Sequence, residues 1–331
     1  MNYVLQITTL LKFNVLEQVS STVPNFGLTT RFEYFFRRLN PSTSFVERAV
    51  SQHSTITALI EDKRGLASAL SPRCFLQGSY KQDTAIYTIN DVDIVALCEL
   101  WYPGSGSGKN WDRDEIFDTI AAPLLNDWRY KDKVRYSSKS TCIKIDLGIK
   151  VEILPVVYRA GNNDFYYEPF CLYRPDKGLW VEGYARYHQQ HLSRKNRNSF
   201  GNFIPAIKVF KHLNAKFSLG VTSFYIESLL YSLPSSLYEG GPAHYIEKLL
   251  SYVSALPAED WYTMLLNTPC GDRRLFSNSE WSFANWEQFH KVIKLGAQCA
   301  ELANRSTIED DAVKVWQLLL GAEFFPYYVS S

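Results

Sequence analysis

Apolar and polar residues alternate along this chain in two distinct rhythms. From Ser44 to about Lys63 the positions Phe45, Ala49, Val50, His53, Ile56, Leu59 and Ile60 recur at helical spacing and predict an amphipathic helix. The rhythm then shortens to that of strands. Asp91 to Leu97 alternates acids with aliphatics, and Thr141 to Leu147 with Lys150 to Val157 reads as two strands joined across Gly148 in a hairpin. Between these, Ile116, Ile120, Leu124 and Trp128 predict a helix over Asp112 to Trp128. Beyond about residue 175 the stripes are helical: Ile204 to Lys216, Thr222 to Leu233, Trp286 to Ala303 and Ile308 to Leu320. Pro205 suits a first helical turn, Thr222 an N-cap and Gly321 the position just past a helix end. The expected fold class is therefore α/β (α+β). Residues 1–175 form a core with a mixed sheet and N-terminal helices, residues 176–331 form a helical domain, and a cleft lies between them.

Composition narrows the function classes. The 331 residues are 46% hydrophobic and 15% aromatic, enough for a sizeable core. Lys plus Arg number 35 against 34 Asp plus Glu, a net charge of +1. A protein that grips long nucleic acid needs a basic excess, so the balance points to small anionic ligands and away from an extended polymer. No run of eighteen apolar residues and no secretory pattern at the N-terminus is present, so a cytoplasmic protein without a membrane span is expected. Cys74, Cys98, Cys142, Cys171, Cys270 and Cys299 stand singly, as buried thiols in a reducing compartment do, and no structural zinc site is expected. Pro103 to Gly108 reads as a flexible loop.

The chemistry concentrates in one stretch. Gly78-Ser79 is followed twelve residues later by Asp91-Val92-Asp93 and the aliphatics Ile94 and Val95. On a strand Asp91 and Asp93 project from the same face, and two like charges so close need a cation. Magnesium, a hard ion that keeps sites for phosphate oxygens, suits them. Gly78 lets the backbone approach a triphosphate, and the Ser79 hydroxyl and nearby amides can donate to it. Two further acids, Asp146 and Glu152, lie in the hairpin: Asp146 is read as a solvated acid beside the Gly148 turn, and Glu152, within Val151-Glu152-Ile153-Leu154-Pro155, is the third acid implied by the family resemblance given next.

These motifs resemble the nucleotidyltransferases of the DNA polymerase β superfamily, and more narrowly the bacterial cGAS/DncV-like enzymes. Phe75-Leu76-Gln77-Gly78-Ser79-Tyr80 through Ile86, Asn90 to Val95, and Trp316 to Pro326 carry the resemblance, which runs from about residue 70 to the C-terminus. It implies a nucleotidyltransferase that uses nucleoside triphosphates, releases pyrophosphate and makes a cyclic di- or trinucleotide second messenger in anti-phage (CBASS) defence. It also implies two Mg²⁺ ions, with Mn²⁺ as a substitute, held by Asp91, Asp93 and Glu152, and a nucleotide cradled by Gln77, Gly78 and Ser79. The family's usual third acid is aspartate, so Glu152 is a departure. Ile207 to Lys211 and Thr222 to Glu227 resemble the family's lysine and serine-aromatic helices, which gives Lys211 and Ser223 a triphosphate to bind and Phe224 a base to stack on, a contact of about 1–3 kcal/mol.

Other conspicuous residues carry weaker expectations. Arg194, Lys195 and Arg197 read as a solvated basic loop, His188 and His191 lack a third metal ligand, and Asn198 and Asn202 read as turn or capping residues. Two further readings use the same motifs: transfer of a nucleotide to an RNA 3′ end, a protein or a small molecule, and a catalytically inactive nucleotide sensor. A regulatory protein partner is left unspecified.

Overall fold

The structure, a computed structural model, describes residues 28–103, 111–257, 264, 266–276 and 281–327. Gly104 to Gly108 of the expected loop, and the N-terminal stretch searched for a leader, lie outside the described residues. The chain divides into two compact units, one of residues 41–83 and 89–190, the other of residues up to 40, 84–88 and 191 onward. This differs from the expected boundary at 175/176 in two ways. The sheet continues past residue 175, and the N-terminal helix belongs with the helical unit.

In the first unit, helix α2 (Thr43–Ile60) starts at Ser42, whose hydroxyl accepts from the Phe45 amide. Strand β1 (Arg73–Gln77) runs into the short helix α3 (Gly78–Lys81), and β2 (Asp91–Tyr102) returns antiparallel to β1. Helix α4 (Arg113–Leu125) opens on a capping box between Asp112 and Glu115. It is followed by β3 (Val134–Arg135), β4 (Ile143–Asp146) and β5 (Lys150–Arg159). The expected hairpin is β4–β5, turning through Gly148 at φ +76°, a value that favours glycine.

The sheet runs β1-β2-β5-β4-β3, and β5 also pairs with β6 (Phe170–Arg174), which pairs with β7 (Leu179–Gly183). Only the β2·β5 pair among these is parallel. β7 corrects the expectation of helix alone past about residue 175; its burial pattern follows neither strict period. One face of the sheet packs Ile94, Ala96, Val151 and Ile153 against Ile56, Ile60, Ile116, Phe117 and Ile120 of the two helices. Each of the larger of these side chains contributes about 1.5–3 kcal/mol when fully buried.

In the second unit, α1 (Leu28–Leu39) buries Leu28, Phe32, Phe35 and Leu39, one helical stripe. Phe32 meets Trp316 and Phe325 edge-on at 5.0 Å each. Helix α5 (Ala185–Asn198) carries the division between the units at 190/191. Then follow α6 (Phe203–Lys216), α7 (Ser223–Ser232), α8 (Pro242–Ser254), α9 (Phe283–Arg305) and α10 (Glu309–Leu320), sharing one core with Trp281, Trp286 and Phe289. Pro205 falls in the first turn of α6 and Gly321 ends α10, as expected. Thr222 occupies the N-cap position of α7, yet its side chain makes no capping bond.

Candidate active site

The parallel pairing of β2 with β5 sets Asp93 directly opposite Glu152 and Asp91 opposite Lys150. Side chains of residues opposed across a parallel pair leave the sheet on the same side, and those two apart on a strand do likewise. Asp91, Asp93 and Glu152 therefore share one face, while Val92, Ile94, Val151 and Ile153 turn the other way and are buried. The same apolar alternation that builds the core thus sorts the acids to one side.

Their charges are felt most strongly at Asp93. Burial, then the carboxylates of Asp91 and Glu152, push its carboxyl up to about 7, against a smaller lowering by Lys144. Glu152 is held from the opposite side of its strand, where Lys144 on β4 is its register partner. The Lys144 Nζ donates to Glu152 Oε1 at 2.8 Å, and the Cys142 thiol donates to Oε2 at 3.4 Å. Among the described residues no three His, Cys, Asp or Glu side chains are drawn together tightly enough to hold an ion as they stand. The donor chemistry nonetheless fits a hard divalent cation: three carboxylates lie on one face, one of them raised by burial and then by its two neighbours.

Gln77, the last residue of β1, pairs in register with Asp93 and precedes α3. Gly78 stands at φ +72°, and an added Cβ would come within 1.9 Å of Asp93 Oδ2. A glycine is thus required both by its backbone and by the carboxylate packed against it. Ser79 follows in the first helical turn, where backbone amides have no partner within the helix. Beside these, a cavity of about 530 Å³ is lined by Gln77, Asp93 and Glu152 together with Lys139, Thr141, Cys142 and Arg174. Lys144 and Cys142 escaped the sequence reading, although the hairpin register about Gly148 would have paired residue 144 with 152. Asp146, the rejected third acid, accepts from the Gly148 amide at 3.0 Å in the turn.

The helical unit distributes its expected residues unevenly. Ser223 is exposed at the start of α7 and Phe224 is half-buried, with the Arg273 guanidinium 5.0 Å from its ring. Lys211 differs from the expected free point charge. Only 4% exposed, its ammonium donates to Glu227 Oε1 at 2.7 Å and to the carbonyl and hydroxyl of Thr84 at 3.0 and 3.1 Å. Three donors therefore meet three acceptors inside the unit.

The basic run lies on α5 instead of the expected loop, and Lys195 donates to the Leu233 carbonyl. The Asn202 amide donates to the Tyr238 carbonyl at 2.8 Å and forms no cap. His191 Nδ1 lies 3.2 Å from the Tyr231 hydroxyl. All six cysteines are free thiols.

Residues 27–196, over half of the chain, match the Second Messenger Oligonucleotide or Dinucleotide Synthetase domain. A cyclic UMP-AMP synthase of Rhodothermus marinus is 26% identical over 191 residues, which are 51% of this chain and 66% of that protein. The chain thus spans just under two thirds of that relative's length. A cyclic AMP-AMP-AMP synthase of Acinetobacter sp. is 24% identical over 304 residues, 86% of this chain and 82% of that one. The solved structure of Rhodothermus marinus CdnE c-UMP-AMP synthase with Apcpp and Upnpp superposes with a TM-score of 0.62 at 21% identity, covering 83% of this chain and 97% of that chain. That likeness speaks for the fold, and the matched span contains Gly78, Ser79 and all three acids. With the acids and the glycine turn inside a family match that spans residues 27–196, over half of its length, the chain belongs to the Second Messenger Oligonucleotide or Dinucleotide Synthetase domain family.

Proposed function

We propose that the chain is a metal-dependent nucleotidyltransferase that joins nucleoside triphosphates into a cyclic di- or trinucleotide second messenger, a cytoplasmic signal in anti-phage defence. The observation that carries the reading is the register of Asp93 against Glu152, with Asp91 on the same face and Gly78 pressed against Asp93. The cyclic product follows from the activities named for the relatives.

Asp91, Asp93 and Glu152 are the residues that would hold divalent cations, with Mg²⁺ as the ion of choice for an all-oxygen set and two ions as the expected number. Such ions, when bound, supply a lowered pKa at the acceptor ribose hydroxyl and charge neutralisation for departing pyrophosphate. Ser79 and the first-turn amides of α3 donate to phosphate oxygens, and Gln77 borders the same cavity.

In the reaction an acceptor hydroxyl oxygen attacks the α-phosphorus, and the bond from that phosphorus to the β-phosphate bridging oxygen breaks. Pyrophosphate leaves with the electron pair, and the hydroxyl proton passes to a Glu152 carboxylate oxygen. Repetition on the linear product closes a ring. Ser223 is assigned to the triphosphate and Phe224 to a base face; Lys211, with its donors already engaged, contributes indirectly.

Incubation with all four nucleoside triphosphates and Mg²⁺, followed by mass spectrometry, tests the reading. A cyclic oligonucleotide with pyrophosphate is the expected outcome. Turnover only after an RNA, protein or small-molecule acceptor is added would contradict it, as would binding without any turnover.

A further inference from the structure

We propose that Lys211 and Glu227 are positioning residues for the catalytic motifs, acting through Thr84. Thr84 lies between Ser79 and Asp91 in sequence, and residues 84–88 belong to the helical unit although the chain on both sides belongs to the sheet unit. This short strap is gripped at each end. At Thr84, fully buried, the hydroxyl donates to Glu227 Oε1 at 2.6 Å while Lys211 donates to its hydroxyl and carbonyl. At Tyr87, the amide donates to the Leu39 carbonyl at 2.8 Å, the phenol lies 3.3 Å from His212 Nδ1, and the Phe324 ring packs at 4.6 Å. Ala85 and Ile86 between them are buried. Asp83 enters the strap at φ +56°, a left-handed turn conformation that aspartate tolerates.

Stability alone does not account for this arrangement. A buried ion pair returns little net free energy compared with apolar side chains of similar volume. A pair placed between a phosphate-binding turn and the two aspartates has a different consequence: it fixes the path of the chain that joins them. Because a misplacement of about 1 Å at reacting groups can cost about 10²-fold in rate, holding that path bears directly on turnover.

The proposal rests on the nucleotidyltransferase reading, and the test separates the two. The variants are K211M/E227M, which replaces the pair by apolar chains, and T84V and T84S, which remove and retain the hydroxyl. Unfolding temperature, kcat, KM for the triphosphate and amide exchange over residues 84–93 are measured for each. The double variant is expected to stay folded, with an unfolding temperature lowered by the orphaned Thr84 hydroxyl and carbonyl, while kcat falls about 10²-fold with KM changed less than about threefold, and exchange quickens through 91–93. T84V is expected to lose kcat in the same way and T84S to regain it, which keeps the test decisive should the double variant fail to fold. Wild-type kcat in the double variant or in T84V would overturn the proposal. So would a raised KM at unchanged kcat, which would mean that Lys211 meets the triphosphate itself. If the wild-type protein turns over no triphosphate, the nucleotidyltransferase reading fails, and the exchange measurement still decides whether loosening at 84–88 reaches 91–93.

Discussion

Gly78 and Asp93 are in mutual steric contact: a single added carbon on Gly78 would lie 1.9 Å from the Asp93 Oδ2 atom. Gly78→Ala therefore meets two penalties, a left-handed backbone and a displaced carboxylate. We expect a loss of about 1–3 kcal/mol in stability and a fall in kcat of about 10²-fold, read by thermal unfolding and pyrophosphate release. Full activity in a folded variant would show that Asp93 tolerates movement.

Asp93 also sets a pH dependence. Its carboxyl is raised from 3.8 to about 7 by burial and by Asp91 and Glu152. Between those values the folded metal-free protein holds a proton that the unfolded chain has released. Its contribution to stability therefore falls as pH rises through this window, and the penalty is fully present above about 7. Asp93→Asn removes that penalty. In EDTA the variant is expected to match wild type near pH 4 and to exceed it by about 4 kcal/mol at pH 8. Mg²⁺ is expected to stabilise wild type more than the variant, because only wild type keeps the full donor set. Denaturant titrations at several pH values check both.

Much of this was legible in the sequence because the chemistry and the periodicity coincide. Asp91 and Asp93 alternate with buried aliphatics, so the strand and the acidic face are a single pattern. The hairpin about Gly148 and helices α6, α7, α9 and α10 likewise follow from regular spacing. Helix α1 carried the same signal at Leu28, Phe32, Phe35 and Leu39; its placement in the helical unit depends on contacts with Trp316 and Phe325, far along the chain. The burial of Lys211, expected by resemblance to meet a triphosphate as a point charge, is invisible locally, because Glu227 and Thr84 close around it from elsewhere in the chain. β6 and β7 mix half-buried aromatics with charges, which leaves no clean alternation to detect.

The choice between two candidate third acids is directly testable. Asp146 faces a turn, accepting from the Gly148 amide, while Glu152 stands opposite Asp93. Asp146→Asn should leave kcat within about twofold, whereas Glu152→Gln should lower it about 10³-fold at unchanged fold, as expected for loss of a metal-binding carboxylate. Steady-state rates with circular dichroism on both variants distinguish the roles, and the reverse ranking would assign the third position to Asp146.

Lys144 competes for the same carboxylate. The pair is 2.8 Å apart, and the lysine side chain is 60% exposed, so its removal should change stability by less than about 1 kcal/mol. Lys144→Ala should bind Mn²⁺ up to about fivefold more tightly without nucleotide, the same energy seen as affinity. Electron paramagnetic resonance titration of free Mn²⁺ measures this. Unchanged affinity would mean that Glu152 does not take part in holding the ion.

The most direct measurement is pyrophosphate release from nucleoside triphosphates and Mg²⁺ by the wild-type chain beside its Asp91→Ala/Asp93→Ala variant. The account predicts turnover in the first and none in a variant that unfolds as cooperatively as wild type. Equal turnover in both would contradict it.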